Sequence, residues 1–92
     1  MEIRYAKPFT KRFKKSPVKI QKATLLRLTM FSLNPYDLRL NNHALSGKWS
    51  GYRSINITGD WRAIFREMAT GVYFIALGTH SQLYCSLAFE TS

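Results

Sequence analysis

The stretch YRSINITGDWRAIFRE, Tyr52 to Glu67, decides the fold. Its two halves alternate apolar and polar residues about Thr58-Gly59, the pattern of two half-buried strands joined by a tight turn. A three-residue connection, Ile57-Thr58-Gly59 with Gly59 left-handed, pairs Asn56 with Asp60 and Ser54 with Arg62 on one face. Ile55, Trp61, Ala63 and Phe65 then share the other face and are assigned to the core. A two-residue connection would change that pairing.

Downstream, Ala69-Thr70-Gly71 make a second turn. VYFIALG, Val72–Gly78, is a third strand, apolar enough to be central. HSQLYCSLAFE, His80–Glu90, begins as a loop or a single helical turn, with room for an edge strand at its end.

Upstream, MEIRYA alternates weakly and reads as a first strand. Pro8 suits the N1 position of a helix, where its missing N–H costs nothing. Phe9 and Phe13 share one face of that helix, and Lys7, Lys11, Lys14 and Lys15 cluster on the other. Ser16 as N-cap and Pro17 as N1 open a second helix. Its apolar stripe is Ile20, Ala23, Met30 and Leu33, widened by Leu25, Leu26 and Leu28, and Asn34-Pro35 stop it. From Asn34 to Ser50 the pattern gives way to a long ordered loop, the kind that often carries function.

The order β-α-α-β-β-β, with a further strand optional, is that of an α+β domain. A helical hairpin covers one face of a small, mostly antiparallel sheet. Residues 1–92 form this single domain, since so short a chain has one small core. The opposite sheet face is left for solvent or a ligand and carries Asn56, Asp60, Arg62 and Arg66.

Charge says what kind of ligand. The chain carries a net +9. Between Ile3 and Tyr36 it has no Asp or Glu, while Lys7, Lys11, Arg12, Lys14, Lys15, Lys19, Lys22 and Arg27 crowd in. Such a block favours a polyanionic partner. No apolar run is long enough for a membrane span and no signal peptide is evident, so a cytoplasmic protein without a membrane partner is expected. The single cysteine, Cys85, cannot pair within the chain and is expected to pack in the core. No Cys/His spacing points to a metal, and no cofactor is expected.

Histidines, a carboxylate, arginines and aromatics are the tools for cutting RNA. A base takes the ribose 2′-OH proton, the oxygen attacks the adjacent phosphate, cations hold the growing charge, and an acid protonates the leaving 5′-oxygen. Histidine titrates near ~6.5 when unperturbed and suits both proton steps. Arginine forks phosphate, and aromatic rings stack unpaired bases. Singly, each residue has a plainer reading: His43 as a loop residue, Asp60 as a turn residue, Trp61 as core, Arg62 and Arg66 as a solvated face.

Together they say more. HALSGKWSGYRSINITGDWRAIFR, His43–Arg66, followed by LGTHSQLY, Leu77–Tyr84, resembles the RelE/ParE toxin superfamily of bacterial type II toxin–antitoxin modules, and within it the YafQ-like branch. The resemblance runs over nearly the whole chain. It implies an mRNA interferase: a toxin that enters the A site of the 70S ribosome and cuts mRNA by metal-independent 2′-OH attack, and that a cognate antitoxin neutralises. It matches the family's proton-handling residues to His43, Asp60 and His80, with His80 the best acid or base. Trp61, Arg62, Arg66, Tyr84 and Asn56 become substrate contacts, and Lys7, Lys11, Lys14, Lys15 and Lys19 a surface for ribosomal RNA or antitoxin. Asn56 replaces a family histidine and Ala76 a family arginine, so Arg62 or Arg66 is expected to supply charge to phosphate. Two alternatives share the fold: a ParE-like inhibitor of DNA gyrase without nuclease activity, and a degenerate RNA-binding member.

Overall fold

The structure, a computed structural model, describes residues 1–85. Strand β1 (Glu2–Tyr5) leads into helices α1 (Lys7–Lys15) and α2 (Val18–Leu33). Strands β2 (His43–Ala44), β3 (Arg53–Asn56), β4 (Trp61–Met68) and β5 (Gly71–Thr79) follow, and a π-helical turn occupies Ser81–Cys85. The sheet order is β1-β5-β4-β3-β2, antiparallel throughout except that β1 runs parallel to β5. This is the expected α+β layering, with the first strand set beside the last of the described strands. The expectations for an edge strand at residues 86–90 and for the Cys85 side chain lie outside the described residues. Among the described residues no helix is long and apolar enough to cross a membrane.

The expected register of the β3–β4 hairpin is wrong by two residues. Asn56 pairs with Arg62 and Ser54 with Ile64. The connection is Ile57–Asp60, and Thr58 closes it: its hydroxyl accepts the Trp61 N–H at 3.1 Å, while the Ile57 and Thr58 N–H groups both donate to the Trp61 carbonyl. A side-chain hydroxyl does what a left-handed glycine would have done, and Gly59 does not have a positive φ. A two-residue shift preserves which side chains face which way. Ile55, Ala63 and Phe65 are accordingly buried, and Trp61 packs against the same cluster.

The helices differ from expectation in detail. Ser16 does not cap α2. Pro17 holds that position, and the Ser16 hydroxyl donates instead to the Arg12 carbonyl at the end of α1. The buried stripe of α2 is Ile20, Thr24, Leu28 and Phe31. Ala23 and Met30 flank it, but Leu25, Leu26 and Leu33 are exposed, Leu33 to 83%. Thr24 is tolerated inside because its hydroxyl donates to the Ile20 carbonyl one turn back at 2.7 Å. Phe31 then meets Phe65 and Phe74 edge-on, at centroid distances of 5.1 and 5.3 Å, the preferred geometry for aromatic pairs.

The stretch from Asn34 to Ser50 is more ordered than a loop. It holds 3-10 turns at Leu38–Leu40 and Gly47–Trp49, with β2 between them as the second sheet edge. Asp37 organises its start, accepting from the Arg39 backbone and from both sides of the Arg39 guanidinium. Those bonds draw its carboxyl down from an ordinary 3.8 to about 2.

Candidate functional site

Paired residues share a face, so the register places the site. On the sheet face away from the helices, one cross-strand row is His43, Ser54, Ile64 and Ala76. The next is Asn56, Arg62 and Gly78. A third, past an irregularity at Ile75, is Arg66, Tyr73 and Arg4.

This face is not simply open, as the sequence had suggested. Ser54 and Ile64 are fully buried. Part of the cover is Leu83, whose side chain lies against Gly78, and the Trp49 indole N–H donates to the Leu83 carbonyl at 3.1 Å. Trp49 stands edge-on to Tyr52 in a loop that Gly51 turns with a φ of 90°. Beneath the cover the Ser54 hydroxyl and the Asn56 Oδ1 are buried and have no hydrogen-bond partner among the described residues.

At the end of this face three predicted residues come together. The His80 N–H donates to the Asp60 carbonyl at 2.8 Å, which ties the end of β5 to the β3–β4 turn. The His80 ring lies 4.6 Å from the Tyr84 ring, centroid to centroid, because the π-helical turn brings the chain back on itself. His80 and Asp60 are both exposed, and Tyr84 is half-buried.

The other predicted residues are distributed. His43 is on edge strand β2, three strand spacings or about 14 Å across the sheet from β5. Its Nδ1 is 2.8 Å from the Asn41 carbonyl. A proton on Nδ1 donated there leaves Nε2 as the basic nitrogen. Arg62 is half-buried, and its Nη1 donates to the carbonyls of Thr58, Gly59 and Trp61 at 3.0, 3.1 and 3.2 Å. It clamps the turn that carries Asp60. Arg66 lies over Tyr73, five residues beyond Trp61 on β4, or about 16 Å along the strand. Trp61 turns to the helix side, with the Arg12 guanidinium 5.6 Å above its ring. Lys7, Lys11, Lys14, Lys15 and Lys19 are exposed on the helices.

One contributor had no sequence signal. Gln82 accepts the Thr79 N–H at 2.9 Å through Oε1, and the Arg12 guanidinium donates to the same oxygen. Nothing about a Gln two residues after a His announces a contact with a helix seventy residues earlier.

The chain is a small basic α+β domain in which Asp60, His80 and Tyr84 meet at one end of the sheet. Residues 1–85 match the family described as bacterial toxin of type II toxin–antitoxin system, YafQ, and the chain belongs to that family. No curated protein sequence matches it. Among solved structures, the E. coli DinJ–YafQ toxin–antitoxin complex shares 25% identity over 90% of this chain and 96% of that one, with a TM-score of 0.64. A copper-bound mutant toxin from Helicobacter pylori shares 26% identity over 91% of this chain and 99% of that one, with a TM-score of 0.69. The YoeB/ParE toxin from Agrobacterium tumefaciens, at 16% identity over 87% and 99% and a TM-score of 0.72, is alike in fold.

Proposed function

We propose that this toxin is a ribosome-dependent mRNA endonuclease. The observation that carries the reading is the junction of Asp60 and His80, locked backbone to backbone at 2.8 Å, with the His80 ring against Tyr84. It sets an exposed carboxylate and an exposed imidazole at one end of a basic domain. The Asp60 carboxylate takes the proton from the ribose 2′-OH, and the freed oxygen attacks the adjacent phosphorus. The P–O5′ bond breaks, and His80 gives a proton to the departing 5′-oxygen, leaving a 2′,3′-cyclic phosphate. Tyr84 holds the His80 ring and offers a face to a base. His43, across the sheet, meets the RNA one or more nucleotides away, with Nε2 toward it.

Asn56 cannot move protons near neutral pH, and Ala76 offers no charge. Arg62, already beside the turn, is the nearest strand cation to compensate. Arg66 lies too far along β4 to reach the same phosphate as His80 and serves a neighbouring one.

The lysines of α1, with Lys19, dock on ribosomal RNA phosphates at the A site, a contact that weakens steeply with salt. A cognate antitoxin neutralises the toxin in the cytoplasm, as the DinJ–YafQ complex of the E. coli relative illustrates.

The test is inducible expression followed by mapping of mRNA 5′ ends at single-nucleotide resolution, with His80→Ala alongside. Codon-phased cuts in translated frames, absent in the variant, are expected. Growth arrest without such cuts would move the target to DNA gyrase. Neither arrest nor cuts would mark a degenerate member.

A further inference from the structure

Helix α1 does not turn all its cations to solvent. Lys11, Lys14 and Lys15 are exposed, but Arg12 is half-buried. It stands three residues after Phe9 and four before Ser16, both buried, and so lies on the inward stripe of the helix, where an apolar residue is the rule. There its guanidinium meets two groups from distant parts of the chain. It lies over the Trp61 ring, 5.6 Å from the centroid, and it donates to the Gln82 amide oxygen.

Those two groups belong to the two halves of the candidate site. Trp61 follows Asp60 and opposes Thr79 across the β4–β5 ladder. Gln82 closes a capping box with Thr79: its Oε1 accepts the Thr79 N–H at 2.9 Å, and its own N–H donates to the Thr79 hydroxyl at 3.2 Å. His80 is the first residue inside that box, with its N–H held by the Asp60 carbonyl. The junction with Asp60 therefore fixes where His80 leaves the sheet, while the box fixes how the turn, and with it the His80 and Tyr84 rings, is tilted. A carbonyl oxygen accepts two hydrogen bonds. On Gln82 the second comes from a cation, the stronger kind of donor. Arg12 thus anchors the box to α1 and, through Trp61, to the strand that begins after Asp60.

We propose that Arg12 is a positioning residue that acts through Gln82 and Trp61 to set the His80 imidazole relative to Asp60. The exposed lysines of α1 meet the RNA, and this one buried-side cation holds the site. Its part in the reaction rests on the nuclease function proposed above; its hold on the His80 ring does not.

The chain has two histidines, and His43, on the far side of the sheet, serves as an internal reference. The Tyr84 ring, 4.6 Å from that of His80, displaces the His80 ring-proton resonances through its ring current. Proton–carbon spectra of the full chain are recorded well below the unfolding midpoint of each variant. Arg12→Ala and Gln82→Ala are each expected to lose that displacement while the His43 signals stay in place. Gln82→Glu keeps both acceptor roles and is expected to hold the His80 signals where the parent has them, and so is Lys11→Ala, which removes a neighbouring charge but not the contact. Cleavage on programmed ribosomes is measured alongside. Arg12→Ala and Gln82→Ala are expected to lower kcat about ten- to hundredfold with KM near the parental value. The double variant is expected to fall no further than the more damaging single one, because both break the same contact. His80 signals that do not move in Arg12→Ala overturn the proposal. So does a rise in KM at unchanged kcat, which would make Arg12 one more docking cation, and so do losses that add in the double variant. A parent that cuts nothing ends the nuclease reading alone, and the spectra then decide whether Arg12 places the ring.

Discussion

The backbone N–H of His80 reaches the backbone carbonyl of Asp60 at 2.8 Å. Neither side chain takes part, so either can be removed without breaking the junction. His80→Ala is expected to abolish growth arrest while thermal unfolding and capture by the antitoxin stay at parental levels. An undiminished arrest would remove His80 from the mechanism.

Arg62 holds three carbonyls of the turn that ends in Asp60. Arg62→Ala is expected to cost about 1–3 kcal/mol in urea unfolding, as those carbonyls lose a charged donor. Arg62→Lys restores the charge but not the fork, so it should recover part of any salt-dependent RNA contact and less of the stability. Stability unchanged in Arg62→Ala would show that the clamp contributes nothing.

The corrected face of α2 makes a sharp contrast. Phe31 is fully buried between Phe65 and Phe74, and Phe31→Ala is expected to cost about 3–5 kcal/mol. Leu33, two residues on, is exposed, and Leu33→Ser is expected to change stability by no more than about 0.5 kcal/mol. Comparable losses at both positions would restore the stripe first read from the sequence.

Asp37 gives the loop before His43 a dependence on pH. Its carboxyl is held at about 2 against an ordinary 3.8, first by hydrogen bonds from the Arg39 side chain and backbone. A depressed folded-state value means the contribution is complete above the ordinary value and is lost as pH falls through the folded one. The difference in urea midpoint between the parent and Asp37→Asn is therefore expected to be full at neutral pH and to shrink as pH approaches about 2. A gap that persists undiminished in acid would mean the carboxylate's charge is not the cause.

Alternation made much of this molecule readable. Strands β3, β4 and β5 were visible because one buried face imposes a period of two, and the faces survived even where the register did not. The register itself turned on the Thr58 hydroxyl, a local contact that the glycine beside it obscured. In α2, leucines outnumber the positions the core can take, so hydrophobicity alone chose Leu33 and passed over Thr24, whose hydroxyl satisfies itself within the helix. The candidate site was legible where it is local: Asp60, His80 and Tyr84 lie close to turns that bring them together. Arg62 was found as a residue but not as a clamp, since its partners are backbone carbonyls. The role of Gln82 depends on Arg12, far away in sequence, and no spacing rule reports such a contact.

Gly71 lies so close to the Glu2 backbone that a methyl group there would overlap the Glu2 carbonyl. That contact joins the beginning of the chain to a point more than two-thirds of the way along it, and contacts of such long span are made late and slowly. During synthesis the first strand emerges early and has no neighbour until Gly71–Phe74 arrive. The sheet that carries Asp60 and His80 therefore closes only when Glu2–Tyr5 and Gly71–Phe74, far apart in sequence, have met.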